Sequence, residues 1–181
     1  MGLSAMKLSR LFSPRPAALA GRRLYVAAAA QARTPALYAA MGAPDTVEGR
    51  FELYTLHVAL LLRRLKGQGG QSAETGQALF DAYVQGLDDA LREMGVGDLS
   101  VGKKMRKLGE AFYGRVRNYD EALGALPDRA PLAALLGRTV LMGVDVDDGA
   151  LTDYAVAAMG ALESQPLDRL LEGDAAWPRS L

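Results

Sequence analysis

The 181 residues balance 21 Lys and Arg against 21 Asp and Glu, half of all positions are hydrophobic, and Cys is absent. A chain of this length and composition can bury one substantial core and sorts with globular rather than disordered proteins. The lack of Cys excludes a disulfide scaffold and a thiolate metal site, and a single histidine, His57, excludes a His-rich one.

Residues 1–16, MGLSAMKLSRLFSPRP, read as a short basic tail broken by Pro14 and Pro16. The tail has no sustained apolar run ahead of a cleavage site, so it does not read as a secretory signal. Residues 1–33 hold six basic side chains and no acid. Lys7, Arg10, Arg15, Arg22 and Arg23 among them suit peripheral contact with an anionic membrane. No stretch approaches the roughly 20 apolar residues of a spanning helix, so a soluble protein without a transmembrane segment is expected.

Beyond the tail the pattern is helical, with no two-residue alternation between hairpin signals. Residues 17–32 read as a first helix that buries Leu19, Tyr25, Val26 and Ala29. Thr34-Pro35, a cap followed by Pro at the first helical position, starts a short helix that Gly42 stops. Asp45-Thr46-Val47-Glu48 reads as a capping box with Asp45 as the cap. The helix it opens, 46–66, is apolar nearly all round at 56–62 and is expected at the centre of the fold. Ser72 reads as the cap of the next helix, which places Leu79, Phe80, Tyr83, Val84, Leu87, Leu91 and Met94 on one side and ends at Gly95. Further helices are expected over 131–142 and 150–163, with an acidic turn at 145–149 between them. Residues after Gly173 read as a C-terminal tail that Trp177 ties down. The sum is an all-α, single-domain helical bundle of six to eight helices over 17–173, with tails at 1–16 and 174–181.

The joint at 94–104, MGVGDLSVGKK, matches the nucleotide-loop pattern GxxxxGK[ST] from Gly97 at every position but the last. A phosphate loop follows a buried strand and ends in a hydroxyl that binds magnesium. Here an amphipathic helix precedes the glycines and Lys104 stands in the last position. A helix–turn–helix joint fits better: Gly95 as a left-handed cap, Gly97 for the reversal, and Ser100 or Asp98 as the next cap. In the following helix Val101, Met105, Leu108, Phe112, Val116 and Tyr119 make one buried stripe, and Lys103, Lys104, Arg106 and Lys107 lie off it. Gly102 and Gly109 each cost roughly 1 kcal/mol of helix propensity, which suggests close packing of another helix or a need for bare backbone.

The run 91–104, LREMGVGDLSVGKK, followed by Glu110-Ala111-Phe112-Tyr113-Gly114-Arg115, resembles the signature of the ubiquinol–cytochrome c chaperone family. Three earlier pieces agree: Ala32-Arg33-Thr34-Pro35 with Tyr38, Pro44-Asp45-Thr46 with Gly49-Arg50-Phe51, and Leu56-His57 ahead of Leu60–Leu65. The resemblance covers about residues 25–125. It implies an all-α, non-enzymatic assembly chaperone for the cytochrome bc1 complex, respiratory complex III, that binds newly made cytochrome b. It further implies work near the ribosome with a small helper protein, and a place in the cytoplasm beside the inner membrane, or on the matrix side in a mitochondrion. A bacterial or precursor-trimmed form fits the absence of a long Arg/Ser-rich presequence. The family supplies no catalytic, cofactor or metal residue to carry over.

The residues themselves keep alternatives open. His57 reads as a core histidine or a polar contact to a partner. Asp81, Asp88, Asp89 and Glu93 read as a solvated helix face or as receivers of basic client loops. Lys103, Lys104, Arg106, Lys107, Arg115 and Arg117 read as ordinary helix decoration or as a surface for anionic lipid, ribosomal RNA or an acidic partner. Arg92, Glu93, Asp98, Lys103, Lys104, Arg106, Lys107 and Arg115 are the candidate partner-binding set. A ribosome- or RNA-binding module using the basic helix 100–117 is the alternative function. A small helical enzyme would need a polar pocket with perturbed acids, which the sequence does not display.

Overall fold

The structure, a computed structural model, describes residues 16–143 and 149–178, and of Asp98 and Leu99 the backbone alone. Residues 1–15 of the basic tail and 145–148 of the acidic turn lie outside them, while Pro16 and Gly149 each begin a helix. Among the described residues the chain is entirely helical: α1 (Pro16–Gln31), α2 (Pro35–Ala39), α3 (Val47–Leu65), α4 (Gly70–Glu93), α5 (Asp98–Gly124), α6 (Ala130–Arg138), α7 (Gly149–Ser164) and α8 (Leu167–Leu171).

The apolar run of α3 sets the centre. Leu53, Leu56, Val58, Ala59, Leu60 and Leu61 are all buried, and α1, α4, α5 and α7 pack around them. Each buried leucine contributes roughly 1.5–3 kcal/mol from water exclusion. The α5 stripe behaves as its spacing implies: Val101, Phe112 and Tyr119 are buried, and Met105, Leu108 and Val116 are half-buried. Phe112 stacks obliquely on Tyr83 of α4, with ring centroids 4.6 Å apart, and so clamps the two longest helices.

Several local expectations are corrected. Helix α1 buries Ala17, Ala20, Gly21, Leu24 and Ala28, while Leu19 and Val26 face solvent. The small face is chosen because α1 and α4 come close: a Cβ on Gly21 would stand 2.5 Å from the Ala78 Cβ. Thr46, not Asp45, caps α3, its hydroxyl accepting from the Gly49 N–H at 3.0 Å. Asp45 pairs with Arg50 instead, at 2.6 Å. Helix α4 starts at Gly70 behind Gly69, and Ser72 is buried inside its first turn rather than capping it. Helix α6 ends at Arg138, and the extra helix α8 follows Pro166.

At the joint, Gly95 adopts φ +78°, the left-handed conformation that glycine takes without steric cost. Gly97 is the N-cap of α5 in extended backbone, so neither Asp98 nor Ser100 holds that place. Gly102 and Gly109 have open space where a Cβ would stand, so no helix packs closely on them.

Candidate client groove and basic face

Helices α1, α3 and α4, with the residues after α1, Tyr38 of α2 and Leu108 of α5, leave a groove of about 550 Å³ on one side of the bundle. The second half of α1, the first turns of α3 and the last turns of α4 form its walls, and Leu108 of α5 closes one end. Its lining is mostly apolar, from Tyr25, Phe51, Tyr54, Leu87 and Leu91. Tyr25 meets Tyr54 edge to face at 5.6 Å, and Tyr54 lies 5.0 Å from Tyr83, so an aromatic ladder joins the groove to the core. Gly86 makes this possible: a Cβ there would fall 2.1 Å from the Tyr25 hydroxyl.

Two of the exposed large apolar side chains, Val47 (58%) and Met94 (53%), stand at the groove. Arg33, Arg50, Glu48 and Glu93 supply charge around it. The Tyr54 hydroxyl is buried without a hydrogen-bond partner, a cost that a polar group on an occupant would remove. Glu52, a lining residue only 8% exposed, accepts from Nε and Nη2 of the Arg115 guanidinium at 2.8 and 2.7 Å. That bidentate pair ties α3 to α5 and raises the Arg115 pKa through its hydrogen bonds to Glu52.

The predicted partner-binding residues fall into separate places. Glu93 lines the groove. Arg92 pairs with Asp88 at 2.7 Å along the outside of α4. Arg115 is held internally by Glu52, which sets it apart from the other basic residues of α5. Lys103, Lys104, Arg106 and Lys107 are exposed and make no ion pair among the described residues. The side chain of Asp98 lies outside the described residues. On α4, Gln77 donates to Asp81 at 2.8 Å and Gln85 to Asp89 at 2.9 Å. That acidic face is thus a solvated ladder of neighbours one turn apart.

His57 is a core residue. It is fully buried, its Nδ1–H donates to the Leu53 carbonyl at 2.7 Å, and Tyr154 sits 2.5 Å from Nε2. A carbonyl can only accept, so Nδ1 carries the proton and the Tyr154 hydroxyl donates to Nε2. Gln31 donates in turn to the Tyr154 oxygen at 3.1 Å. Burial lowers the His57 pKa to about 4, so the ring is neutral at ordinary pH. Trp177 stands edge-on to the ring at 5.1 Å, which fixes the tail as its aromatic character implied. The polar contact to a partner is therefore ruled out for this side chain.

A family model for the ubiquinol-cytochrome C chaperone matches residues 39–177. The chain belongs to that family. Similar curated chaperone-family relatives are the ubiquinol-cytochrome-c reductase complex assembly factor 1 of Xenopus laevis and its mouse counterpart. The frog protein is 28% identical over 141 residues, 74% of this chain and 68% of its own length. The mouse protein is 30% identical over 138 residues, 74% of this chain but 46% of its own, so the chain spans under half of that relative. Among solved structures, the Cbp3 homolog from Brucella abortus superposes with a TM-score of 0.82 at 34% identity, covering 96% of both chains. In this chaperone-family member the matched span begins after α1, yet Tyr25 and Ala29 of α1, with Ala32 and Arg33 just beyond it, complete the groove. Sequence reasoning placed Glu93 of this lining in the partner-binding set and did not single out the walls from α1 and α3 as a binding surface. The residues facing it carry the same apolar periodicity as those facing the core, and only the three-dimensional arrangement separates the two.

Proposed function

We propose that this protein is an assembly chaperone for ubiquinol–cytochrome c reductase, complex III, and that its groove holds an apolar segment of newly made cytochrome b. The supporting observation is a half-open apolar channel, edged by exposed Val47 and Met94, in a member of the ubiquinol–cytochrome c chaperone family. A helical client segment suits such a channel, with side chains one turn apart entering between the aromatic and aliphatic walls. The mixed rim of Arg33, Arg50, Glu48 and Glu93 gives it a register without a strong net charge. Holding and releasing a client needs no covalent step, and the buried acid in the lining, Glu52, is occupied by Arg115.

The test is isolation of the tagged protein from gently solubilised membranes of its own cells, with assembled complex III read from the cytochrome b absorbance of those membranes. The wild type is expected to enrich cytochrome b, along with any small helper protein. Val47→Glu and Met94→Glu are expected to lose it and to lower complex III. Ribosomal proteins and RNA enriched without cytochrome b would contradict this reading and favour the ribosome-binding alternative.

A further inference from the structure

We propose that the outer face of α5 seats the protein on an anionic lipid surface, independently of the client groove. Four cations on this helix, Lys103, Lys104, Arg106 and Lys107, are exposed and lack an ion-pair partner among the described residues. At 100° per residue they cover the half of α5 turned away from its buried stripe. Between residues 103 and 117 the sequence holds a single acid, Glu110. Two turns beyond Arg106, Tyr113 is 62% exposed, a large aromatic left in water on the flank of this face. One turn further, Arg117 is exposed and makes only a loose 3.8 Å contact with Glu121.

Tyr113 also borders an open hollow of about 390 Å³ walled by Leu62, Gly76, Phe80 and Val116. Charge alone would fit RNA equally well. The mostly apolar hollow beside the tyrosine favours lipid, because a tyrosine at headgroup depth with basic neighbours is the usual anchor of a peripheral protein. No described helix is long and apolar enough to cross a membrane, so this contact would be peripheral. Leu108, on the inward side of the same helix, closes the client groove, so seating on the outer face leaves the groove free.

The test is flotation of the full chain with phosphatidylcholine vesicles, with and without phosphatidylglycerol. Binding is expected only with the anionic lipid and is expected to weaken with salt. Each Lys or Arg near such a surface is worth a factor of about five. The variant K103Q/K104Q/R106Q/K107Q should therefore bind roughly 600-fold more weakly, and the four-arginine variant should bind like wild type. Tyr113→Trp in a Trp177→Phe background should be quenched by lipids brominated in the acyl chain. Equal binding to neutral vesicles, unchanged binding by the glutamine variant, or intact binding without quenching would overturn the proposal. So would retention on homopolymer RNA with no vesicle binding, which would assign this face to nucleic acid.

Discussion

The histidine at the centre of the fold makes stability depend on pH in a definite direction. His57 is fully buried, and its pKa falls from the ordinary 6.5 to about 4 in the folded chain. Between those values the unfolded chain takes up a proton that the folded chain refuses. Stability is therefore lost as pH falls through that window. The full effect is about 3 kcal/mol by pH 4, of which about 2 is already lost at pH 5. The carboxylates with lowered pKa, Asp45 and Asp120, lose stability only at lower pH, so the upper part of the window reports on His57. Urea unfolding of wild type and His57→Gln from neutral pH to about pH 5 separates the effects. The wild type should lose about 2 kcal/mol across that range and the variant little, whatever its absolute stability. Parallel slopes in the two proteins would refute the reasoning, as would a wild type that gains stability on acidification.

The Glu52–Arg115 ion pair at the groove sorts the basic residues of α5 by role. Arg115→Ala should destabilise by about 2–4 kcal/mol because it leaves the Glu52 carboxylate buried and unpaired. Lys103→Ala with Lys104→Ala should change stability by no more than about 0.5 kcal/mol in the same thermal melts. The glycines divide in the same way. Gly21→Ala should cost about 1–3 kcal/mol by forcing α1 off α4. Gly102→Ala should instead stabilise by about 0.5–1 kcal/mol, since its Cβ meets nothing. Thr46→Ala should cost about 1 kcal/mol through loss of the α3 cap.

The architecture was legible where a single strong pattern governed it. The apolar run in α3 placed the central helix, the three-and-four spacing in α5 gave its buried stripe, and Gly95 marked the joint. Sequence reading failed where size outranked hydrophobicity. In α1 the large Leu19 and Val26 were expected inside, but the helix packs through Ala and Gly because only these allow so close an approach to α4. It failed again where two capping residues stood side by side, since Asp45 had a better partner in Arg50 than in the helix end. The basic helix was visible as charge, yet nothing in the charge pattern distinguished Arg115, whose acid lies 63 positions away, from its exposed neighbours. Of the groove only Glu93 was singled out from sequence, because the remaining walls come from distant segments and their lining looks like core.

That groove is the central claim, and cross-linking tests it most directly. Val47, Met94 and Val26 are all large, apolar and exposed, but only Val47 and Met94 line the groove. A photo-reactive amino acid is placed at each position in turn, and newly made cytochrome b is labelled in the same cells. The account predicts cross-links to cytochrome b from positions 47 and 94 and none from 26. Cross-links from 26 alone, or from none of the three while complex III still assembles, would contradict it.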